Sequence, residues 1–121
     1  MNKFKRGLVV ALLMFGASNA AWSQNAPVGD AANGKRVYLA VGCFTCHGRS
    51  GQGGSYYGPA PALAETKLPF EAFKVFLRLG PNHMPAYVES VLSDKDAADI
   101  HAFLRSLPGR RPSKDFPLLN Q

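Results

Sequence analysis

The chain has 121 residues, 46% of them apolar, two cysteines and a formal net charge of +6. That length suits one domain, near the lower size at which a hydrophobic core alone holds a fold. Three of the fourteen Lys and Arg and none of the eight Asp and Glu lie in the first 23 residues; the remainder carries eleven basic against eight acidic residues, a net +3 that excludes a nucleic-acid footprint.

At the start, Lys3, Lys5 and Arg6 precede an apolar run over 8–17 and then the small residues Ser18, Ala20 and Ala21. This is the pattern of a secretory signal peptide over 1–23, with cleavage after Ala20 or after Ser23. A membrane anchor needs about 20 apolar residues, and this run is shorter and interrupted by Ser18 and Asn19; an uncleaved anchor is the alternative. The expected mature domain is 24–121, with a core over about 29–108 and an irregular basic tail.

A first helix is expected over 30–41, with Asp30 as N-cap. Ala31, Gly34, Val37, Tyr38 and Val41 then share one face, and the glycine in it marks either a close approach or a tolerated helix glycine. Next comes Cys43-Phe44-Thr45-Cys46-His47, a C-x-x-C-H motif holding both cysteines of the chain. Two thiols three positions apart on one helical turn can add across the vinyl groups of a single porphyrin, while the following imidazole reaches its iron; the motif is read as the attachment site of one covalent haem c, with His47 as an axial ligand. A zinc site would need separated ligand pairs, and a thioredoxin-like site a βαβ context, neither of which this sequence offers.

Residues 48–63 read as loop throughout, long enough to wrap a porphyrin edge. Tyr56 and Tyr57 are candidate hydroxyl partners for haem propionates, with Tyr57 the preferred one and plain packing the alternative. A second helix is expected over 69–79, with Pro69 in its first position, Phe70, Phe73, Phe76 and Leu77 as its apolar face, and Gly80 past its end. Arg78 near its end is a further propionate candidate. A third helix follows Ser93, with Ala97, Ile100, Phe103, Leu104 and Leu107 inward and Pro108-Gly109 as its stop. His101 reads as a surface residue of that helix.

For the second axial position the mature chain holds one thioether, Met84, in the proline-stiffened stretch Pro81-Asn82-His83-Met84-Pro85. Pro85 restricts the residue before it to extended conformations, which favours Met84 over the adjacent His83. Methionine ligation stabilises ferrous iron and raises the potential.

Taken together, Cys43, Cys46 and His47, the Gly34 and Tyr38 face, Met84-Pro85, and Ile100, Phe103 and Leu104 resemble a class I c-type cytochrome over roughly 29–108. The resemblance implies an all-α cytochrome c fold, three main helices and long loops wrapped around one haem, with Gly34 and Tyr38 meeting Phe103 or Leu104. It also implies a proline carbonyl that accepts the hydrogen bond of the His47 imidazole. Gly58-Pro59 and Pro61-Ala62-Leu63 each supply part of that pattern, and Pro59 is the expected acceptor.

The wording around Cys43, Met84-Pro85-Ala86-Tyr87 and Leu92-Ser93-Asp94 is similar to bacterial periplasmic cytochromes that serve dehydrogenases. It implies a periplasmic one-electron carrier rather than an enzyme, taking electrons from a dehydrogenase, either as a free carrier or as that enzyme's electron-accepting subunit, and passing them to an oxidase or reductase. The alternative is a haem protein whose displaceable sixth ligand lets it bind or reduce a small ligand such as peroxide. If the haem supplies much of the apolar interior, the chain without it has little helix by circular dichroism; a well-folded haem-free form would overturn a haem-centred core.

Overall fold

The computed structural model describes residues 27–54 and 58–119. The expected signal peptide and the candidate Tyr57 lie outside the described residues. Among the latter the fold is all-α: α1 (Ala31–Ala40), α2 (Phe44–His47), α3 (Phe70–Leu79) and α4 (Asp94–Ser106), followed by 3₁₀ turns at Ser113–Asp115 and Pro117–Leu119. No helix among the described residues is long and apolar enough to cross a membrane.

The helix ends follow their capping residues. The Asp30 carboxylate accepts from the Ala32 and Asn33 amides, and Ser93 accepts from the Asp96 amide while its hydroxyl donates to the Asp96 carboxylate. Pro69 stands just before α3 instead of in its first turn, and Gly80 ends that helix in the left-handed conformation.

The α1–α4 pair forms the main helix contact, and α3 leans on α4 more lightly. A Cβ on Gly34 would overlap the Asp99 carbonyl, so the glycine marks a backbone-to-backbone crossing. One turn along, Tyr38 is fully buried and its ring lies 5.5 Å from that of Phe103, tilted by 59°. The expected meeting of Tyr38 with Phe103 is thus present, whereas Gly34 crosses α4 at Asp99, one turn before Phe103. Phe70, Phe73, Leu77, Leu92, Ile100 and Leu104 complete the core around it.

Asp99, which lies outside the apolar stripe expected for this helix, is fully buried beside this crossing. Its Oδ1 accepts from the Asp30 amide at 2.7 Å, and its Oδ2 accepts from Asn33 Nδ2 at 2.7 Å and Lys95 Nζ at 2.8 Å. The carboxylate therefore ties the N-terminus of α1, where the helix dipole favours negative charge, to the body of α4. Burial pushes its pKa up, but Lys95 and the Asp30 and Asn33 donors outweigh burial and hold it below the usual carboxylate value.

Two expectations are corrected. His101 is buried, not on the surface: its Nε2 lies 2.8 Å from the Leu68 carbonyl and its ring packs between those of Phe70 and Phe73. It sits one position past Ile100 because α3 covers a second flank of α4, which a single-face reading of the helix cannot anticipate. Phe76 remains 47% exposed, rotated off the α3 face that meets α4 and grouped with the half-exposed Val75. The haem motif forms the helical turn that its spacing predicts, α2, and the basic tail holds the two 3₁₀ turns, with Arg111 4.7 Å from the Phe116 ring.

Gly34→Ala should lower the stability of the holoprotein by about 3 kcal/mol, read as a fall in the urea midpoint, because neither backbone at the crossing can yield. Asp99→Asn should cost about 2 kcal/mol at neutral pH by breaking the charge-assisted bonds. Since the folded carboxyl titrates below its unfolded value of about 3.9, its contribution is complete above that value and fades as pH falls through the depressed folded one. Acid unfolding curves should therefore converge for wild type and Asp99→Asn at low pH; a constant gap would exclude the carboxylate as the cause.

Candidate haem site

The motif turn is built from the C-terminal end of α1. Gly42, in the left-handed region, reverses the chain after Val41, and the Cys43 amide donates back to the Tyr38 carbonyl at 3.1 Å. Thr45 Oγ1 donates to the Gly42 carbonyl at 2.7 Å, and the His47 amide to the Cys43 carbonyl at 3.0 Å, which closes the single turn of α2. The buried Tyr38 ring sends its hydroxyl to the Gly48 carbonyl at 2.7 Å, pinning the far end of this turn to the core. Cys43 and Cys46 are both free thiols on this turn. Among the described residues no three His, Cys, Asp or Glu side chains converge as ligands of one metal ion.

Beyond Gly48 the loop doubles back under His47. The Gly53 amide donates to the His47 carbonyl at 2.9 Å, the Gly54 amide to the Ala60 carbonyl at 2.8 Å, and the Leu63 and Ala64 amides to the Gly51 carbonyl. Gly53 has φ +74°, and a Cβ there would come within 2.6 Å of the Ala62 nitrogen, so only glycine lets the two limbs of the loop close. That closure places the Pro61 carbonyl 2.9 Å from His47 Nδ1.

The acceptor is therefore Pro61 and not Pro59, which is exposed in the outer limb. The pairing of residues 51–54 with 60–64 sets this outcome, because it aligns the inner limb with the imidazole. A carbonyl can only accept, so Nδ1 carries the proton and the lone pair of Nε2 is left for a metal. A carbonyl bonded to the ring nitrogen that faces away from the metal fixes the tautomer and orientation of a ligating histidine.

The segment carrying Met84 is bonded to the chain just before this turn. The Met84 amide donates to the Pro81 carbonyl at 3.1 Å, Asn82 takes φ +57°, and the half-buried Met84 side chain packs against the core while His83 is exposed. Tyr87 links the segment to the motif, its hydroxyl donating to the Val41 carbonyl at 3.2 Å and lying against the Cys43 thiol. Burial pushes the Cys43 thiol up to about 11, with the Tyr87 hydrogen bond pulling the other way, so the thiol is protonated at neutral pH. Burial, followed by the charge of an ionised Cys43, pushes the Tyr87 hydroxyl up to about 12.

Tyr87 was not singled out by the sequence as part of the site; a buried tyrosine hydroxyl three residues after Met84 that needs a partner is the signal that points to it. Arg78, expected as a propionate partner, has a different role. Its guanidinium donates to the Tyr87 carbonyl at 2.7 Å, the Leu92 carbonyl at 2.9 Å and the Asp94 carboxylate.

The donor set fits a covalently held haem. Two free thiols and an imidazole with the correct tautomer occupy one turn, and a thioether-bearing segment is bonded to that turn through Tyr87. Cys43, Cys46 and His47 would hold the group, which when bound supplies one-electron redox chemistry at iron.

Residues 29–104 match the family model described as cytochrome c oxidase, cbb3-type, subunit III. Neither the curated proteins nor the solved structures yielded a match. The match takes in both helices of the crossing, the motif turn and the Met84 segment, and the chain belongs to this family: it is a class I c-type cytochrome, a domain for haem-based electron transfer.

Proposed function

We propose that the protein is a periplasmic one-electron carrier in which haem c, attached through Cys43 and Cys46, has His47 and Met84 as its axial ligands. The observation that carries this reading is the His47 Nδ1 contact with Pro61, which leaves Nε2 as the ligating atom of an imidazole fixed from behind. The packing of Met84 against the core, beside an exposed His83, favours the thioether as the second ligand. His47, fixed by Pro61, and Met84, packed on the core, would hold the haem iron with little movement of either side chain between oxidation states, which would keep the barrier to electron transfer low. No acid, base or nucleophile is needed. On this reading the carrier accepts electrons from a dehydrogenase and hands them to a terminal oxidase or reductase.

The visible spectrum of the holoprotein tests the ligation. Wild type should show sharp c-type bands on reduction and, when ferric, the weak far-red band of iron–thioether bonding. Met84→Ala should lose that far-red band, lower the reduction potential and bind cyanide at least about tenfold faster, since the site it vacates opens to external ligands. Rapid cyanide binding by wild type, with no far-red band, would overturn the carrier reading in favour of ligand chemistry at an open iron. N-terminal sequencing of the exported protein tests the periplasmic placement and decides between cleavage after Ala20 and after Ser23.

A further inference from the structure

We infer that Arg78 is the positioning residue for Met84, a clamp that holds the segment between α3 and α4 in place; the inference rests on the reading of Met84 as axial ligand. The stretch from Pro81 to Ser93 contains no helix among its residues, and its own backbone bonds are few: Met84 to Pro81, and Val91 and Leu92 to Val88. Such a stretch has little of its own to fix a side chain at one spot. Nη1 of Arg78 accounts for the difference. It donates to the carbonyls of Tyr87 and Leu92, closing the ends of the 88–91 turn on one atom, while Nη2 takes the carboxylate of Asp94 at the start of α4.

Three other contacts place this clamp on the Met84 side. The Tyr87 amide donates to the Leu77 carbonyl at 2.8 Å, on the residue before Arg78. The Met84 carbonyl lies against Gly80, two residues after it. The Tyr87 hydroxyl reaches Val41, so the residue Arg78 holds by its carbonyl is the one bonded to the motif turn. A planar fork with several donors can serve two carbonyls and a carboxylate together, which the single ammonium of lysine cannot reproduce. Lys74, at 3.1 Å from both Glu71 and Asp94, steadies the acidic arm. The bonds are charge-assisted and the Arg78 side chain is three-quarters buried, so they survive competition from water better than exposed pairs.

The test uses the ferric holoprotein. Amide hydrogen exchange over 84–92 should be about tenfold faster in Arg78→Gln than in wild type, with α1 unchanged, and the far-red band should bleach on heating well before the helical circular dichroism is lost. Arg78→Lys should restore part of the protection. Should Arg78→Gln fail to mature, Asp94→Asn, which frees only the acidic arm, should show the same two effects at smaller size. Exchange over 84–92 equal to wild type, or a far-red band that disappears only together with the helices, would overturn the clamp. A wild-type protein that lacks the far-red band while Arg78→Gln still loosens 84–92 would instead overturn Met84 as ligand, because the exchange readout needs no iron–sulfur bond.

Discussion

At Gly34 the backbone of α1 lies directly on that of α4, against the Asp99 carbonyl, and the height of that crossing decides where Tyr38 comes to rest. Tyr38 then carries the consequence outward: its ring meets Phe103 inside the core and its hydroxyl holds Gly48 at the far end of the motif turn. The Asp99 carboxylate, bonded to Asp30, Asn33 and Lys95, keeps the two helices from sliding. A spacing change at this one point would move the turn that bears both thiols and the imidazole.

Around that turn the chain works by pairing a ligating or attaching side chain with a partner that fixes it. His47 is backed by Pro61, and the partner exists because Gly53 allows two loop limbs to close. The turn and the Met84 segment are joined by Tyr87, and that segment is in turn tied to α3 and α4 through Arg78. For the proposed carrier this matters more than any single contact, since small ligand displacement between oxidation states requires that both sides of the iron be rigid.

Polar residues inside the fold do structural work that composition does not reveal. Asp99 is buried with three donors, and His101 is buried with its ring between two phenylalanines and a nitrogen near the Leu68 carbonyl. Both sit on α4, whose three apolar neighbours α1, α3 and Leu92 cover more of its circumference than a one-sided stripe would require. Buried polar groups of this kind persist only where every bond is made, and among the described residues no buried side-chain nitrogen or oxygen lacks a partner.

The motif and the helical segments were legible in the sequence because each is a local or periodic signal: two thiols and an imidazole at fixed spacing, a cap at Asp30 or Ser93, apolar residues recurring every three or four positions. The meeting of Tyr38 with Phe103 was implied by the family resemblance and not by any local signal. The choice of Pro61 over Pro59, the burial of His101 and the commitment of Arg78 to carbonyls were not legible. Each depends on which distant backbone arrives beside the side chain, through the closing of the 51–64 loop, the second flank of α4 and the turn at 88–91. By itself the sequence determined the chemistry this chain can carry, because covalent attachment and helix formation are short-range; only the tertiary structure decided which partners orient that chemistry, because a hydrogen-bond partner is selected by distance in space and not by distance along the chain.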